Sequence, residues 1–92
     1  MISGKMKKQN EELIFTKHAL ARMEKRRLTK VMVEQALKNP ERSEPDPVDS
    51  ELEQIWGRIP ALANRCLRVI VSKELPRRVI TAHLDRLAEK RT

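Results

Sequence analysis

Several residue types are scarce in this chain, and each scarcity excludes a class of protein. Cys66 is the only cysteine, so no internal disulfide can form, and one cysteine with two histidines cannot build a cysteine-based zinc site. Two glycines cannot form a glycine-rich phosphate loop. No apolar run exceeds three residues, which argues against a transmembrane helix and a secretory signal peptide. We therefore expect a cytoplasmic protein with no membrane contact, metal or cofactor.

Positive charge is abundant and is concentrated at the two ends of the sequence. The 92 residues carry a formal net charge of +7, made of +6 in residues 1–30, −4 in residues 31–60 and +5 in residues 61–92. Eleven of the 20 basic residues are arginine, which binds phosphate through two parallel N–H groups. This distribution favours a polyanionic partner such as RNA, DNA or an acidic protein. The alternative is that the charge serves solubility alone.

The hydrophobic pattern predicts the element order β-α-α-β-β-β. Thr16 and Thr29 are N-cap candidates, each followed by about nine good helix formers. Three prolines within eight residues predict an extended loop after the second helix. The predicted elements are a strand at 12–15, helices at 17–26 and 30–38, a loop at 41–49, and strands at 51–59, 65–72 and 77–84.

This order predicts one α+β domain over residues 11–86. We expect an antiparallel four-stranded sheet, because three strands linked by hairpins form a meander and the short first strand has to join it. A two-helix hairpin is predicted to cover one face of that sheet. Residues 1–10 are expected to be a disordered basic leader, and residues 87–92 a polar C-terminal tail.

The segment 15–26, with the sequence FTKHALARMEKR, resembles the signature that opens the small DUF4258 proteins. The likeness covers roughly residues 12–86 and continues through segments 39–41, 56–58, 67–71 and 79–82. That family is placed in the RelE/ParE toxin superfamily, so the resemblance implies a RelE-like fold. It also implies a toxin-type protein of a type II toxin–antitoxin system, acting as an mRNA endoribonuclease or translation inhibitor and neutralised by an acidic antitoxin protein.

Catalysis is the first role that the residues themselves suggest. RNA cleavage without a metal needs a base, a cation and an acid, which histidine and arginine can supply. We predict His83, Arg68, Arg86 and His18 as catalytic candidates, with His83 favoured because the nucleases of the superfamily carry their catalytic groups on the sheet. The chain has no tyrosine, whereas many active relatives use one near the C terminus, so enzymatic activity stays open. His83 could instead be a surface strand residue, and His18 a capping group.

RNA binding is the second predicted role. Arg77 and Thr81 are expected to share the strand face of His83, with Arg65 or Arg68 on the neighbouring strand. The predicted RNA-binding residues are Lys17, Arg22, Lys25, Arg26, Arg65, Arg77 and Arg78. The alternative for Lys17, Lys25, Arg26 and Arg27 is a solvated helix face, and Arg22 could instead form an ion pair with Glu34, Glu51 or Glu53. Trp56 is expected to pack in the core rather than stack on bases, and Cys66 to be buried.

Three functions are compatible with these patterns. The first is the toxin-type protein, whose partners would be RNA or the ribosome and the acidic antitoxin. The second is a non-catalytic module that binds nucleic acid or protein on the same fold. The third is an interaction protein whose basic faces serve assembly only. The oligomeric state is not encoded in these patterns.

Overall fold

The computed structural model describes residues 13–89 of the chain. This part contains five strands, three α-helices and one turn of 3-10 helix at Pro60–Leu62. In chain order the elements are β1 (Leu13–Phe15), α1 (Lys17–Lys25), α2 (Lys30–Lys38), β2 (Pro40–Pro45), β3 (Leu52–Ile59), β4 (Arg65–Ser72), β5 (Arg77–Leu84) and α3 (Arg86–Glu89).

The first two helices begin where threonine caps them, as predicted. The Thr16 hydroxyl accepts a hydrogen bond from the backbone N–H of Ala19 at 3.1 Å, and the Thr29 hydroxyl accepts one from Met32 at 3.2 Å. Both threonines have extended backbone angles and satisfy an N–H that has no partner inside the helix. Between the helices, Arg27 adopts a φ of 59°, and this left-handed residue turns the chain sharply.

The sheet differs from the prediction. Its strand order is β1-β5-β4-β3-β2, and β1 runs parallel to β5 whereas the other neighbours are antiparallel. The fold is therefore a small α+β fold with a five-stranded mixed sheet and three helices. The predicted RelE-like arrangement, an antiparallel four-stranded sheet with a two-helix hairpin, is wrong.

The additional strand lies in the segment predicted as a loop. Pro40 and Pro45 stand at the two ends of β2, and β2 is the edge of the sheet, bonded only to β3. An edge strand can accept proline because only one side of its backbone has to donate to a neighbour. The three prolines therefore made the sequence pattern look like a loop, although an edge strand forms there.

The two long helices pack on the sheet rather than chiefly on each other. Helix α1 packs against β5, and α2 packs against β3 and β4. Gly57 makes the second contact possible, because a Cβ atom there would lie 2.1 Å from the carbonyl oxygen of Ala36. The core lies between these helices and the sheet face beneath them. Its fully buried members are Ala19, Val33, Ala36, Ile59, Leu67, Val69, Val71, Val79 and Ala82.

Strand β5 contains a β-bulge in its middle. Val71 of β4 lies opposite Val79, whereas the preceding residue Ile70 lies opposite Thr81. One step along β4 thus corresponds to two steps along β5, and Ile80 is the extra residue. A bulge of this kind reverses the side-chain alternation of the strand.

The bulge determines which side chains share a face with His83. Val79 and Ala82 are both fully buried on the core side, although their spacing is three. Arg77, two residues before Val79, therefore lies on the core side, where it pairs with Glu53 at 3.2 Å. The prediction that Arg77 shares the face of His83 is wrong for this reason.

The predicted terminal segments are largely outside the described residues. The leader predicted over 1–10 falls there entirely, as do residues 90–92 of the predicted tail. Residues 87–89 of that tail belong to α3. Within residues 13–89, no helix is long and apolar enough to cross a membrane.

Candidate nucleic-acid interface

The sheet face opposite the core, here called the open face, carries a row of polar side chains. Trp56 of β3 lies opposite Arg68 of β4, and Arg68 lies opposite His83 of β5. Gln54 stands two residues before Trp56 and therefore points to the same face. Directly opposed residues of neighbouring strands bring their side chains within contact distance. The register therefore brings together His83 and Arg68, as predicted, and adds Gln54.

Arg68 binds His83 through two nitrogens. Its Nε lies 3.0 Å and its Nη2 2.7 Å from Nε2 of His83. A third nitrogen, Nη1, donates to the side-chain oxygen of Gln54 at 3.3 Å. Gln54 in turn donates from its own nitrogen to Asp46 at 3.1 Å, which keeps its oxygen facing Arg68. The Arg68 guanidinium is thus held in place without a carboxylate partner.

His83 is an imidazole surrounded by positive charge. Partial burial lowers its pKa, and the charges of Arg68 and Arg26 lower it further, while Asp85 has an opposing effect. The neutral imidazole is therefore the dominant form near pH 7. A neutral histidine is a weak proton donor but can accept a proton where its lone pair is free.

Trp56 supports the end of the open face and offers no stacking platform. Its side chain is only 4% exposed and packs with Cys66 and Ala88. Its indole N–H donates to Asp85 at 2.8 Å, and the guanidinium carbon of Arg42 lies 4.1 Å from the ring centroid. The predicted core role of Trp56 agrees with this burial. Burial also raises the pKa of the Cys66 thiol, which leaves it unreactive.

Asp85 connects the open face to the last helix. One carboxylate oxygen accepts the Trp56 indole N–H, and the other accepts the backbone N–H of Ala88 at 3.0 Å. These bonds, led by that of Trp56, lower the pKa of Asp85. Among residues 13–89 Asp85 forms no ion pair with Arg68, although the charge of Arg68 also lowers the pKa of Asp85.

Helix α1, which packs on the core side of the sheet against β5, presents a second set of positive side chains. His18, Arg22, Lys25 and Arg26 follow one another at spacings of four, three and one, which places them along one side of the helix. We call these four residues the cationic stripe. The guanidinium of Arg26 donates to the carbonyl oxygen of Ala82 at 2.8 Å. The stripe therefore ends beside β5, next to His83.

Cations of the stripe lack carboxylate partners, in contrast to most sheet arginines. Among residues 13–89, no basic side chain between positions 17 and 30 lies within ion-pair distance of a carboxylate. Four arginines elsewhere do have such partners: Arg42 with Glu44, Arg58 with Glu41, Arg65 with Glu89 and Arg77 with Glu53. The Arg42 Nε lies 3.2 Å from Glu44 but lacks hydrogen-bond alignment, so that pair is electrostatic only.

The structure thus groups some of the predicted residues and separates others. Lys17 is exposed near the start of α1, and Arg22, Lys25 and Arg26 lie on the stripe. Arg65 and Arg77 are engaged with Glu89 and Glu53. Arg78 and Arg86 are exposed, and neither Arg86 nor His18 contacts the His83–Arg68 pair.

Gln54 and Asp85 are the site residues that sequence reasoning missed. The alternation that put Trp56 on one strand face also contained Gln54, so a signal for that residue existed. No local pattern indicated Asp85, because its partner Trp56 is 29 residues away in the sequence. Within the described part of the chain, no group of three or more potential ligands could hold a metal ion.

Comparison with known families gives one match. A family model described as "Domain of unknown function (DUF4258)" matches residues 15–83, which include α1, α2 and four of the five strands almost completely. Comparisons with curated proteins and with solved structures gave no match.

Proposed function

The chain belongs to the DUF4258 family, and we propose that it is a cytoplasmic RNA-binding protein of the toxin type. Its RNA-binding surface consists of the cationic stripe on α1, the neighbouring Lys17, and the His83–Arg68 pair on the open face. Binding at this surface would prevent an mRNA or a ribosomal RNA segment from taking part in translation. An acidic antitoxin protein would neutralise the protein by covering the same positive surface.

This proposal rests on the difference between the basic side chains of α1, which lack carboxylate partners among the described residues, and most arginines of the sheet, which have them. Residues 17–30 contain six Lys and Arg side chains and one acid, Glu24, and none of them forms an ion pair with another residue of the described range 13–89. Unpaired surface cations of one sign raise the potential over that surface and attract phosphates. Arg26 joins this charge to the open face through its bond to Ala82.

Binding is the part of the toxin hypothesis that the geometry supports best. Cleavage of RNA by His83 would require a free lone pair on the imidazole, and Nε2 already accepts hydrogen bonds from Arg68. Endoribonuclease activity therefore stays a prediction, and a cleavage assay on end-labelled RNA is its test.

The experiment is a titration of a labelled single-stranded RNA oligomer, followed by fluorescence anisotropy at several salt concentrations. The test variant replaces Lys17, Arg22 and Lys25 by glutamine, which removes three charges and leaves the core untouched. Each phosphate contact on a single strand contributes about 0.7 to the slope of log K against log salt. We expect the slope of the triple variant to be lower by about 2.

The matched control removes charge where no binding surface is proposed. Lys38 ends α2 and Lys73 lies in the turn after β4, and both are exposed. Replacing this pair by glutamine should lower the salt slope by less, per charge removed, than the triple variant does. If both variants lose affinity equally per charge, or if the wild-type protein does not bind RNA at low salt, the proposal is wrong.

The toxin-type function has its own readout. Induced expression should arrest growth and reduce protein synthesis, and the triple variant should relieve both effects. An arrest that persists unchanged in the triple variant would show that the positive surface of α1 is not responsible.

A further inference from the structure

We propose that His83, Arg68 and Arg26 form a binding site for a single phosphate group, in which His83 acts as a hydrogen-bond donor through Nδ1 rather than as a base. The inference rests on the proposed RNA-binding function and names the chemistry of one subsite within it. It is carried by the direction of the hydrogen bonds around the imidazole.

The contact with Arg68 determines which nitrogen of His83 carries the proton. A guanidinium group has N–H donors and no acceptor, so Nε2 of His83 has to be the acceptor at 3.0 and 2.7 Å. A neutral imidazole whose Nε2 is an acceptor carries its hydrogen on Nδ1. Among residues 13–89, no protein group accepts a hydrogen bond from Nδ1.

The orientation of Arg68 is itself fixed from the other side. Gln54 donates to Asp46 with its nitrogen at 3.1 Å and accepts from Arg68 with its oxygen at 3.3 Å. The chain Asp46–Gln54–Arg68–His83 thus has a single direction, with Arg68 donating to both neighbours. Reversal of the histidine tautomer would set an N–H of His83 against the N–H groups of Arg68.

The side-chain N–H groups of Arg68, Arg26 and His83 that have no acceptor among these residues are all hydrogen-bond donors. Three of the five N–H groups of Arg68 are used by His83 and Gln54, and two remain. Arg26 uses one nitrogen on Ala82 and keeps the rest. Together with Nδ1–H of His83, these groups offer several donors and two full positive charges, the combination that a phosphate oxygen accepts.

Two carboxylates lie near this site, and both accept hydrogen bonds from groups other than Arg68 and His83. Asp85 is occupied by Trp56 and Ala88, and Asp46 accepts hydrogen bonds from Val48, Asp49 and Gln54. The charged groups that face His83 are Arg68 from β4, Arg26 from the end of α1, and Asp85 from the segment after β5. Burial first, and then the charges of Arg68 and Arg26 against that of Asp85, lower the pKa of His83 and keep its imidazole neutral.

The first test is spectroscopic and uses the wild-type protein. Nitrogen NMR of the histidine side chains at neutral pH distinguishes the two neutral tautomers and the imidazolium form. We expect the Nδ1–H tautomer for His83. In Arg68→Met the constraint on Nε2 is gone, and we expect a mixture of tautomers. An Nε2–H tautomer or an imidazolium in the wild-type protein overturns the inference.

The second test measures RNA affinity in two variants of His83. Asparagine keeps an N–H donor near the position of Nδ1, whereas alanine removes it. We expect His83→Ala to weaken RNA binding by about tenfold, the value of one charge-assisted or well-placed hydrogen bond, and His83→Asn to retain most of the affinity. Circular dichroism and thermal melting verify that both variants fold. Equal losses in the two variants overturn the inference.

The third test uses pH, in an His18→Asn background that removes the other histidine. If His83 binds phosphate as the neutral donor, RNA affinity does not increase as pH falls from about 8 to 6.5. An increase that disappears in His83→Asn would show binding by the imidazolium and overturn the inference. His83-dependent RNA cleavage with a base limb in its pH profile would overturn it as well.

The tests separate this inference from the proposed function. If the Lys17, Arg22 and Lys25 variant loses affinity but His83→Ala does not, RNA binding stands and the phosphate site is wrong. If the wild-type protein does not bind RNA, both are wrong.

Discussion

Helix α1 and the sheet beneath it use their basic side chains differently. Four sheet arginines lie within 3.3 Å of a carboxylate oxygen. Within the described residues the cationic stripe has no such partner, and its member Arg26 is bound to a backbone carbonyl. Since the opposite charges of an ion pair largely cancel each other's field, we expect the stripe to contribute more to the surface potential than the paired arginines.

The comparison teaches that a count of basic residues does not locate a binding surface. Arg65 and Arg77 carry the same charge as Arg22, but their carboxylate partners make them structural. Arg68 differs from these paired arginines, because its hydrogen-bond partners are a neutral imidazole and an amide. It therefore belongs functionally with the stripe although it lies on a strand.

The largest expected effect comes from reversing charge on the stripe. In Arg22→Glu with Lys25→Glu, two attractive contacts become repulsive, and we expect RNA affinity to fall by about a hundredfold at about 0.1 M salt. Anisotropy titration measures this. The matched control, Lys38→Glu with Lys73→Glu, has the same total charge and should lose far less affinity. Equal losses would mean that net charge alone determines binding.

The next effect concerns a polar group that serves stability. Asp85→Ala leaves the buried Trp56 indole N–H without its acceptor and removes the cap of α3. We expect the free energy of unfolding to fall by about 2 kcal/mol, measured by urea denaturation. Asp85→Asn retains one acceptor oxygen, enough for one of the two bonds, and should lose less. A loss of RNA binding without a loss of stability in Asp85→Ala would contradict the division between the two regions.

A smaller effect concerns the pH dependence of stability. The pKa of His83 is lowered in the folded protein, so below about pH 6.5 the unfolded chain binds a proton that the folded protein resists. Its contribution to stability is present above about pH 6.5 and is lost as pH falls towards the folded-state pKa. We expect unfolding measurements between about pH 7.5 and 5.5 to show this loss in wild type and a weaker dependence in His83→Gln. An identical pH dependence in both proteins would contradict the burial and charge assigned to His83.

The smallest effect is expected from a paired arginine. Arg58 donates to Glu41 at 2.8 Å on a partly exposed part of the sheet. A double-mutant cycle with Arg58→Gln and Glu41→Gln should give a coupling below about 1 kcal/mol, measured by urea denaturation. RNA affinity should stay unchanged in each variant. A marked loss of affinity in Arg58→Gln would extend the binding surface to the paired arginines.

The regular elements of this fold could be predicted from local patterns, and their assembly could not. Thr16 and Thr29 as N-caps predict where the two long helices begin, and the alternation of side chains over residues 65–72 predicts the full length of β4. The parallel pairing of β1 and the strand β2 were missed, because pairing direction leaves no local signal and Pro45 counts against a strand unless it is at an edge. The bulge at Ile80 was missed since Val79 and Ile80 are both apolar and fit either alternation.

The candidate site divides in the same way. Arg65 or Arg68 was predicted to lie beside His83 because the strands of a hairpin are neighbours, and the register selects Arg68. The pairing of Arg65 and Arg77 with acids depends on α3 and on the bulge, so it could not be derived from spacing. Gln54 lacks a charge or a motif, and only the register with Arg68 reveals its part in the site.

The most direct test of the account is a backbone amide NMR titration of the wild-type protein with a short single-stranded RNA. Saturating RNA should shift the resonances of residues 17–27 and of residues 81–84, together with Arg68. The amide resonances of the residues around Arg42 and Arg58 should not shift. Shifts confined to β2 and β3, or no shifts at low salt, would contradict the claim that unpaired cations mark the binding surface.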